Sequence, residues 1–324
     1  MYLTSLINRQ LIKNEERISE VMTGANEMVS IGMPVYNDKA FLPAALDSLR
    51  NQIYQNFELI ISDDCSTDGS ADICLQAQQM DKRVKYVRQP QNIGISRNME
   101  FLLKQATGKY FMWAANDDRW HPDFIQELVG GLEKNPNAIA AFCNVTEIDD
   151  DGNETKTHDA ELINYSGAKP EIRLKKLIKV FYDGFGYGLF VKDKIKDVRF
   201  PVWWWLNKKC PYNNIYPTLC YYLTKGDYVS CGSAPLWFNR IKTGTNIHHK
   251  VPFQNNFLRG YFAFVLGIFN LACVSLHEVK RAGGSPYLIF KISFPMFYHW
   301  FLKPAYYELI DYSKRLYRRQ IKFW

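Results

Sequence analysis

Two pairs of adjacent aspartates, Asp63-Asp64 and Asp117-Asp118, each close a short apolar run. Phe57-Glu-Leu-Ile-Ile-Ser62 leads into the first, and Tyr110-Phe-Met-Trp-Ala-Ala115, through Asn116, into the second. Continuous apolar runs of this kind read as strands of a parallel sheet covered on both faces. Ligands of such sheets bind outside the carboxyl ends of the strands, so both pairs are expected to line one crevice. A third strand, Met28-Val-Ser-Ile-Gly-Met33, runs into Pro34-Val-Tyr-Asn37 and adds an amide to the same edge. Carboxylates gathered there suit a hard cation such as Mg²⁺ or Mn²⁺, which bridges protein to a diphosphate and stabilises it as a leaving group. A lone Asp-Asp is more often a turn or a helix cap. Two pairs ending two strands of one sheet are harder to explain that way.

The flanking sequence supplies the scaffold. Phe41 to Gln52 carries apolar residues at helical spacing, Ser66-Thr-Asp-Gly-Ser70 caps a helix through about Gln79, and Val84-Lys-Tyr-Val-Arg88 is a short strand. After Gln89-Pro-Gln-Asn-Ile-Gly94 a helix is expected over about Ser96 to Ala106, another over His121 to Lys134, and then a strand at Ala138-Ile-Ala-Ala-Phe-Cys143. This alternation predicts an α/β, Rossmann-like, mostly parallel doubly wound sheet with right-handed crossovers. Beyond the acidic turn Asp149-Asp-Asp-Gly152 the alternation loosens. Leu189-Phe-Val191 reads as a strand, Trp203-Trp-Trp205 as an aromatic ridge, and Tyr216 to Lys225 as a helix stopped by Gly226. From about residue 257 the pattern is helical, punctuated by Pro286, Pro295 and Pro304.

Composition narrows the class. Across 324 residues, 47% hydrophobic and 23% charged, disordered, collagen-like and disulfide-scaffold chains are disfavoured. The 7 cysteines form no C-x-x-C pair and read as reduced thiols. The N-terminus lacks the features of a secretion signal. The most apolar stretch, Tyr261 to Ser275, is shorter than the roughly 20 residues of a bilayer span and contains Asn270. A cytoplasmic protein is expected. The excess of the +7 charge shows in the tail, where Lys303, Lys314, Arg315, Arg318, Arg319 and Lys322 stand among aromatic residues. Such a tail either touches anionic lipid on the inner face of the plasma membrane or docks as a solvated helix face. Nucleic acid is not an expected partner, because the acidic ligand edge repels a phosphate backbone.

At this point the residues resemble a family. VSIGMPVYNDKAFLPAALDSLRNQIYQNFELIISDDCSTDGS, followed by QNIGISRNMEFLLKQATGKYFMWAANDDRWHPDFI, is similar to the family-two inverting GT-A nucleotide-sugar glycosyltransferases. The resemblance is dense over about 28–150 and thins afterwards to landmarks such as Gly188-Leu-Phe190 and Leu236-Trp-Phe-Asn-Arg240. It implies a GT-A fold, the Rossmann-like nucleotide-diphospho-sugar transferase sheet, with a C-terminal helical extension. It further implies a UDP- or dTDP-linked donor, a glycan or lipid-linked glycan acceptor, and a role in surface polysaccharide assembly. By the same resemblance Pro34, Tyr36 and Asn37 sit beside the nucleoside, and Asp64 with Asp63 meets base and ribose. Asn92, Gly94, Arg97 and Asn98 wall the donor, and Asp117 and Asp118 hold the metal. The implied domains are a helical extension over 1–27, a GT-A domain over 28–245 with its donor half at 28–150 and acceptor half at 151–245, and a helical, basic aromatic region over 246–324.

Two positions depart from the pattern. Ala115 stands where the first acid of the D-x-D motif belongs, so a metal must lean on Asp117, Asp118 and the diphosphate. Inverting transfer also needs a general base, and the expected acid falls among Pro211-Tyr-Asn-Asn-Ile-Tyr-Pro217, whose Asn213 and Asn214 cannot serve. Asp183, beside the Gly184-Phe-Gly-Tyr-Gly188 loop, and Asp227 are the alternatives. Two other functions stay open: a nucleotide-sugar-binding protein of this fold without turnover, and a nucleotidyltransferase. The second would want a glycine-rich triphosphate loop after the first strand, where Val35-Tyr-Asn-Asp38 stands instead.

Overall fold

A computed structural model describes residues 27–160, 164, 166–180, 184–200, 203–205, 208–210, 215–242 and 272–298. The extension over 1–26, Asp183, the 211–214 segment and the basic tail beyond 298 therefore lie outside the described residues. Over residues 29–148 the chain runs β1 (Val29–Val35), α1 (Leu42–Arg50), β2 (Phe57–Asp63), α2 (Ser70–Met80), β3 (Val84–Arg88), α3 (Ile95–Gln105), β4 (Tyr110–Trp113), β5 (Arg119–Trp120), α4 (Phe124–Lys134) and β6 (Ala138–Ile148). There follow β7 (Glu154–His158), α5 (Pro170–Val180), β8 (Leu189–Val191), β9 (Trp203–Trp205), β10 (Lys208–Cys210), α6 (Ile215–Lys225), β11 (Asp227–Arg240) and α7 (Pro286–Phe297).

The apolar runs become strands because they can bury both faces. Every residue of β2 is buried, and α1 turns Leu42, Ala45, Leu46 and Leu49 onto the sheet at helical spacing. At the centre, the indole of Trp113 meets the rings of Phe111, Phe190 and Phe200 edge to face and donates to Met99 O at 3.1 Å. Truncating such a side chain costs about 3–5 kcal/mol. At the amino edge of the sheet, Glu58 accepts from Ser30, Thr107 and Lys85. Burial alone would raise its pKa; these donors outweigh that and hold it at about 2. They pin β1, β2 and the turn before β4 together.

The main sheet has the order β3-β2-β1-β4-β8-β6-β11-β5, with β7 on β6. β3, β2, β1 and β4 are mutually parallel, as the alternation predicts. The other half is mixed: β8 runs antiparallel between β4 and β6, while β6 and β11 are again parallel. The two reversals at β8 cancel, so β6 and β11 point the same way as β4. The ends of β1, β2, β4, β6 and β11 thus share one edge. β9 and β10 form a separate antiparallel pair, which gives the Trp203-Trp-Trp205 ridge a strand backbone. Among the described residues no helix is long and apolar enough to cross a membrane.

Two local boundaries differ from the sequence reading. The helix expected from His121 begins at Phe124, because Arg119–Trp120 pairs as β5 with Trp237 and Phe238 of β11. The β11 strand itself is not expected from sequence. Its register slips between Ser230 and Pro235, where Gly232 has φ +73°, so its periodicity is broken.

Candidate active site

The carboxyl edge gathers the loops after β1, β2, β3 and β4. The turn after β1 is laced to the turn after β2: Asn37 N donates to Ser66 Oγ at 3.0 Å, Thr67 N to Asn37 Oδ1 at 2.8 Å, Asp38 N to Ser70 Oγ at 3.1 Å and Lys39 N to Asp68 Oδ2 at 3.0 Å. Asn37 takes φ +49°, a conformation that asparagine tolerates better than most residues. Pro34 lies in register with Ser62, and Tyr36 stands 52% exposed at the rim.

Asp63 and Asp64 occupy this edge but are spent on protein groups. Asp63 accepts from Ser66 N at 2.8 Å and from the Tyr86 hydroxyl at 3.0 Å, and is 0% exposed. Asp64 accepts from Ile93 N at 2.7 Å and Gly94 N at 2.9 Å. The sequence reading set both against base and ribose. In the fold they shape the walls, Asp63 closing its own turn and Asp64 fastening the loop before α3. Gly94 needs its φ of +83°, which permits that turn, and Asn92 Oδ1 accepts from the same amide at 3.1 Å. Arg97 is exposed in the first turn of α3. Asn98, expected on the donor wall, is instead buried and donates to Ser62 O at 2.9 Å.

The second aspartate pair divides. Asp118 is 1% exposed and faces a pocket of donors on β11: Trp237 Nε1 at 2.9 Å, Arg240 N at 2.8 Å and Asn239 Nδ2 at 3.3 Å. Burial and the neighbouring Asp117 charge push its pKa up to about 8, against the pull of those donors. Of the two carboxylates expected to form a clamp, Asp118 thus joins the β4–β5 loop to β11, and Asp117 is the one presented at the edge. Arg240 reinforces that junction through Asp117 O and the carbonyls of Asp149 and Asp150, stacked over Phe41.

Asp117 remains at the edge and meets a residue that sequence reasoning missed. Lys242, just past β11, places Nζ 2.9 Å from Asp117 Oδ2 and 2.5 Å from Asp38 Oδ2. Burial opposes the ammonium charge, but Asp117 and Asp38 more than reverse this and raise its pKa. The only signal for this partner was the Leu236–Arg240 landmark preceding it. Mg²⁺ and Mn²⁺ call for several oxygen ligands, and these residues fit such an ion poorly. Ala115 offers no side-chain oxygen, Asp118 is walled in, and Asp38 and Asp117 already share the ammonium. Among the described residues no group of three or more His, Cys, Asp or Glu side chains is placed to hold a metal.

The alternative bases resolve differently. Asp227 starts β11 opposite Ala138 and so lies at the far edge of the sheet. Its carboxylate accepts from Arg173 at 2.5 Å and Gly167 N at 2.7 Å, which removes it as a base for this site.

Residues 30–199 match the model of the family described as glycosyl transferase family 2. The chain belongs to that family. Among curated relatives it is 33% identical over 106 residues to the putative teichuronic acid biosynthesis glycosyltransferase TuaG of Bacillus subtilis, covering 33% of this chain and 42% of that protein. It is 25% identical over 198 residues to the GalNAc(5)-diNAcBac-PP-undecaprenol beta-1,3-glucosyltransferase of Campylobacter jejuni, covering 61% of this chain and 62% of that one. The matched stretches thus span less than two thirds of either relative. Among solved structures, S. aureus TarS 1-349 superposes with a TM-score of 0.53 at 15% identity, over 87% of this chain and 91% of its own. That likeness carries the GT-A fold with its helical C-terminal region.

Proposed function

We propose that this family 2 member transfers a glycosyl unit from a UDP- or dTDP-linked sugar, with inversion, to a hydroxyl of a glycan or lipid-linked glycan in surface polysaccharide assembly. One observation carries the reading: the loops after β1, β2 and β3, tied to one another by Asp38, Asp64 and Ser66, converge with Asp117 on a single strand edge. In the transfer, the acceptor oxygen bonds to the anomeric carbon as the bond to the diphosphate breaks. The electron pair leaves with the diphosphate, and the acceptor proton passes to a base, for which Asp183 is the sequence candidate. The donor and acceptor classes draw on relatives: a TarS structure holds UDP-GlcNAc, and the Campylobacter enzyme is named for an undecaprenol-linked glycan. In the metal-dependent form of the reading, Mg²⁺ or Mn²⁺ on Asp117 has to displace Lys242.

Thermal unfolding against a panel of nucleoside diphosphates tests the donor half. UDP or dTDP is expected to raise Tm, since a ligand at a hundredfold its Kd adds about 2.7 kcal/mol to stability. Equal response to every nucleotide, or to none, would remove the donor assignment. A response to nucleoside triphosphates with pyrophosphate release would favour the nucleotidyltransferase.

Membrane contact of the C-terminal region belongs to the same reading. The α7 helix turns Tyr287, Phe290 and Phe294 outward, the latter two 76% and 70% exposed. It packs on α5, which exposes Ile172, Lys176 and Lys179, and Lys291 lies alongside. Aromatic rings flanked by lysines suit an anionic lipid interface. The chain is expected to sediment with phosphatidylglycerol vesicles, and Phe290→Ser with Phe294→Ser to weaken that binding on the order of tenfold or more. Undiminished sedimentation of the double variant would exclude this face.

A further inference from the structure

We propose that the Lys242 ammonium stands in for the divalent cation at the donor diphosphate, so that this chain binds its nucleotide without metal. The inference rests on the donor reading above and assigns the charge that this site uses.

Two carboxylates from separate loops, Asp38 after β1 and Asp117 after β4, converge where the diphosphate is expected. Left to themselves they would repel one another and the incoming donor. A cation must stand between them, and the fold supplies one: Nζ of Lys242 is 2.5 Å from Asp38 Oδ2 and 2.9 Å from Asp117 Oδ2. An ordinary surface ion pair is mobile and contributes little. This one is built in differently. The lysine side chain is only 25% exposed, its Nζ lies 5.2 Å from the centre of the Phe41 ring, and the backbone beside it is fixed by Ile241 N donating to Ile148 O at 2.8 Å.

The residues a metal would use are meanwhile withdrawn. Ala115 has no side-chain ligand atom, Asp118 is closed in by Trp237, Asn239 and Arg240, and a divalent ion on Asp117 would sit against the ammonium. A lysine offers a compact charge with three donors, of which Asp38 and Asp117 take two and one is left for a phosphate oxygen. Preorganised in a half-buried site, it cancels much of the repulsion from the two carboxylates and meets a departing diphosphate by hydrogen bonding rather than by coordination.

Calorimetric titration of the whole chain with UDP, and separately with dTDP, in EDTA and in Mn²⁺ tests this. The wild type is expected to bind one of them with the same affinity, within about twofold, in both buffers. Lys242→Met, which keeps length and loses charge, should bind on the order of tenfold more weakly in EDTA and recover with Mn²⁺, because Asp38 and Asp117 are then released as ligands. Lys242→Arg should keep the metal-independent binding. Cooperative unfolding well above the titration temperature in each variant separates these effects from misfolding. Wild-type binding that requires Mn²⁺ would overturn the inference while leaving the donor reading intact, as would Lys242→Met binding in EDTA as tightly as wild type. Wild type that binds neither nucleotide in either buffer would overturn both.

Discussion

Asp118→Ala should cost this protein its stability rather than only its activity. The substitution strips the acceptor from Trp237 Nε1, Arg240 N and Asn239 Nδ2 in a pocket that water does not reach. Leaving buried donors without their acceptor costs about 1–3 kcal/mol each. For a chain of this size that corresponds to a fall in Tm on the order of 10 °C. Asp118→Asn is a sharper test. It keeps the shape but turns an amide N–H₂ toward Trp237 Nε1 or Arg240 N, neither of which can accept, so it too should lower Tm. If Asp118 were a metal ligand facing the cleft, the asparagine variant would lose transfer and keep its Tm. Thermal unfolding of both variants, read beside activity per folded molecule, decides between these outcomes.

Asp117→Ala should do the reverse. Its carboxylate is at the edge of the cleft, and in the reading proposed above it orients the Lys242 ammonium where the diphosphate departs. Losing one preorganised electrostatic contact of this kind typically costs about 10²–10³ in kcat. Stability should hold, because the Asp117 charge is among the causes that push both Asp38 and Asp118 upward in pKa, and its removal relieves that repulsion. A kcat loss smaller than about tenfold would take Asp117 out of the site. A large fall in Tm would make it one more structural acid like its neighbour.

The contrast between these two adjacent residues shows where sequence reading stops. Two aspartates at the end of one apolar strand are chemically identical until the fold decides what each one faces. What turns Asp118 inward lies on β11, more than a hundred residues away in a strand whose own pattern is interrupted by the Gly232–Pro235 irregularity. The same distance hid Lys242, which meets Asp38 across 204 positions. Asp227 looked as available as any other acid until its place at the amino end of β11 put it on the wrong edge.

The sequence by itself determined the features that depend on near neighbours. The apolar runs that must be buried on both faces, the helical spacing of Leu42, Leu46 and Leu49, and the acids that end strands are all written within a few residues of one another. Together they are enough for the parallel half of the sheet and for its ligand edge. Tertiary structure alone decided which of the edge carboxylates remains presented, because that depends on donors and cations brought in by strand pairing across the whole chain. A carboxylate is spent or available according to what the fold sets against it, and at this edge the fold buried Asp63, Asp64 and Asp118 and left Asp117 with Lys242.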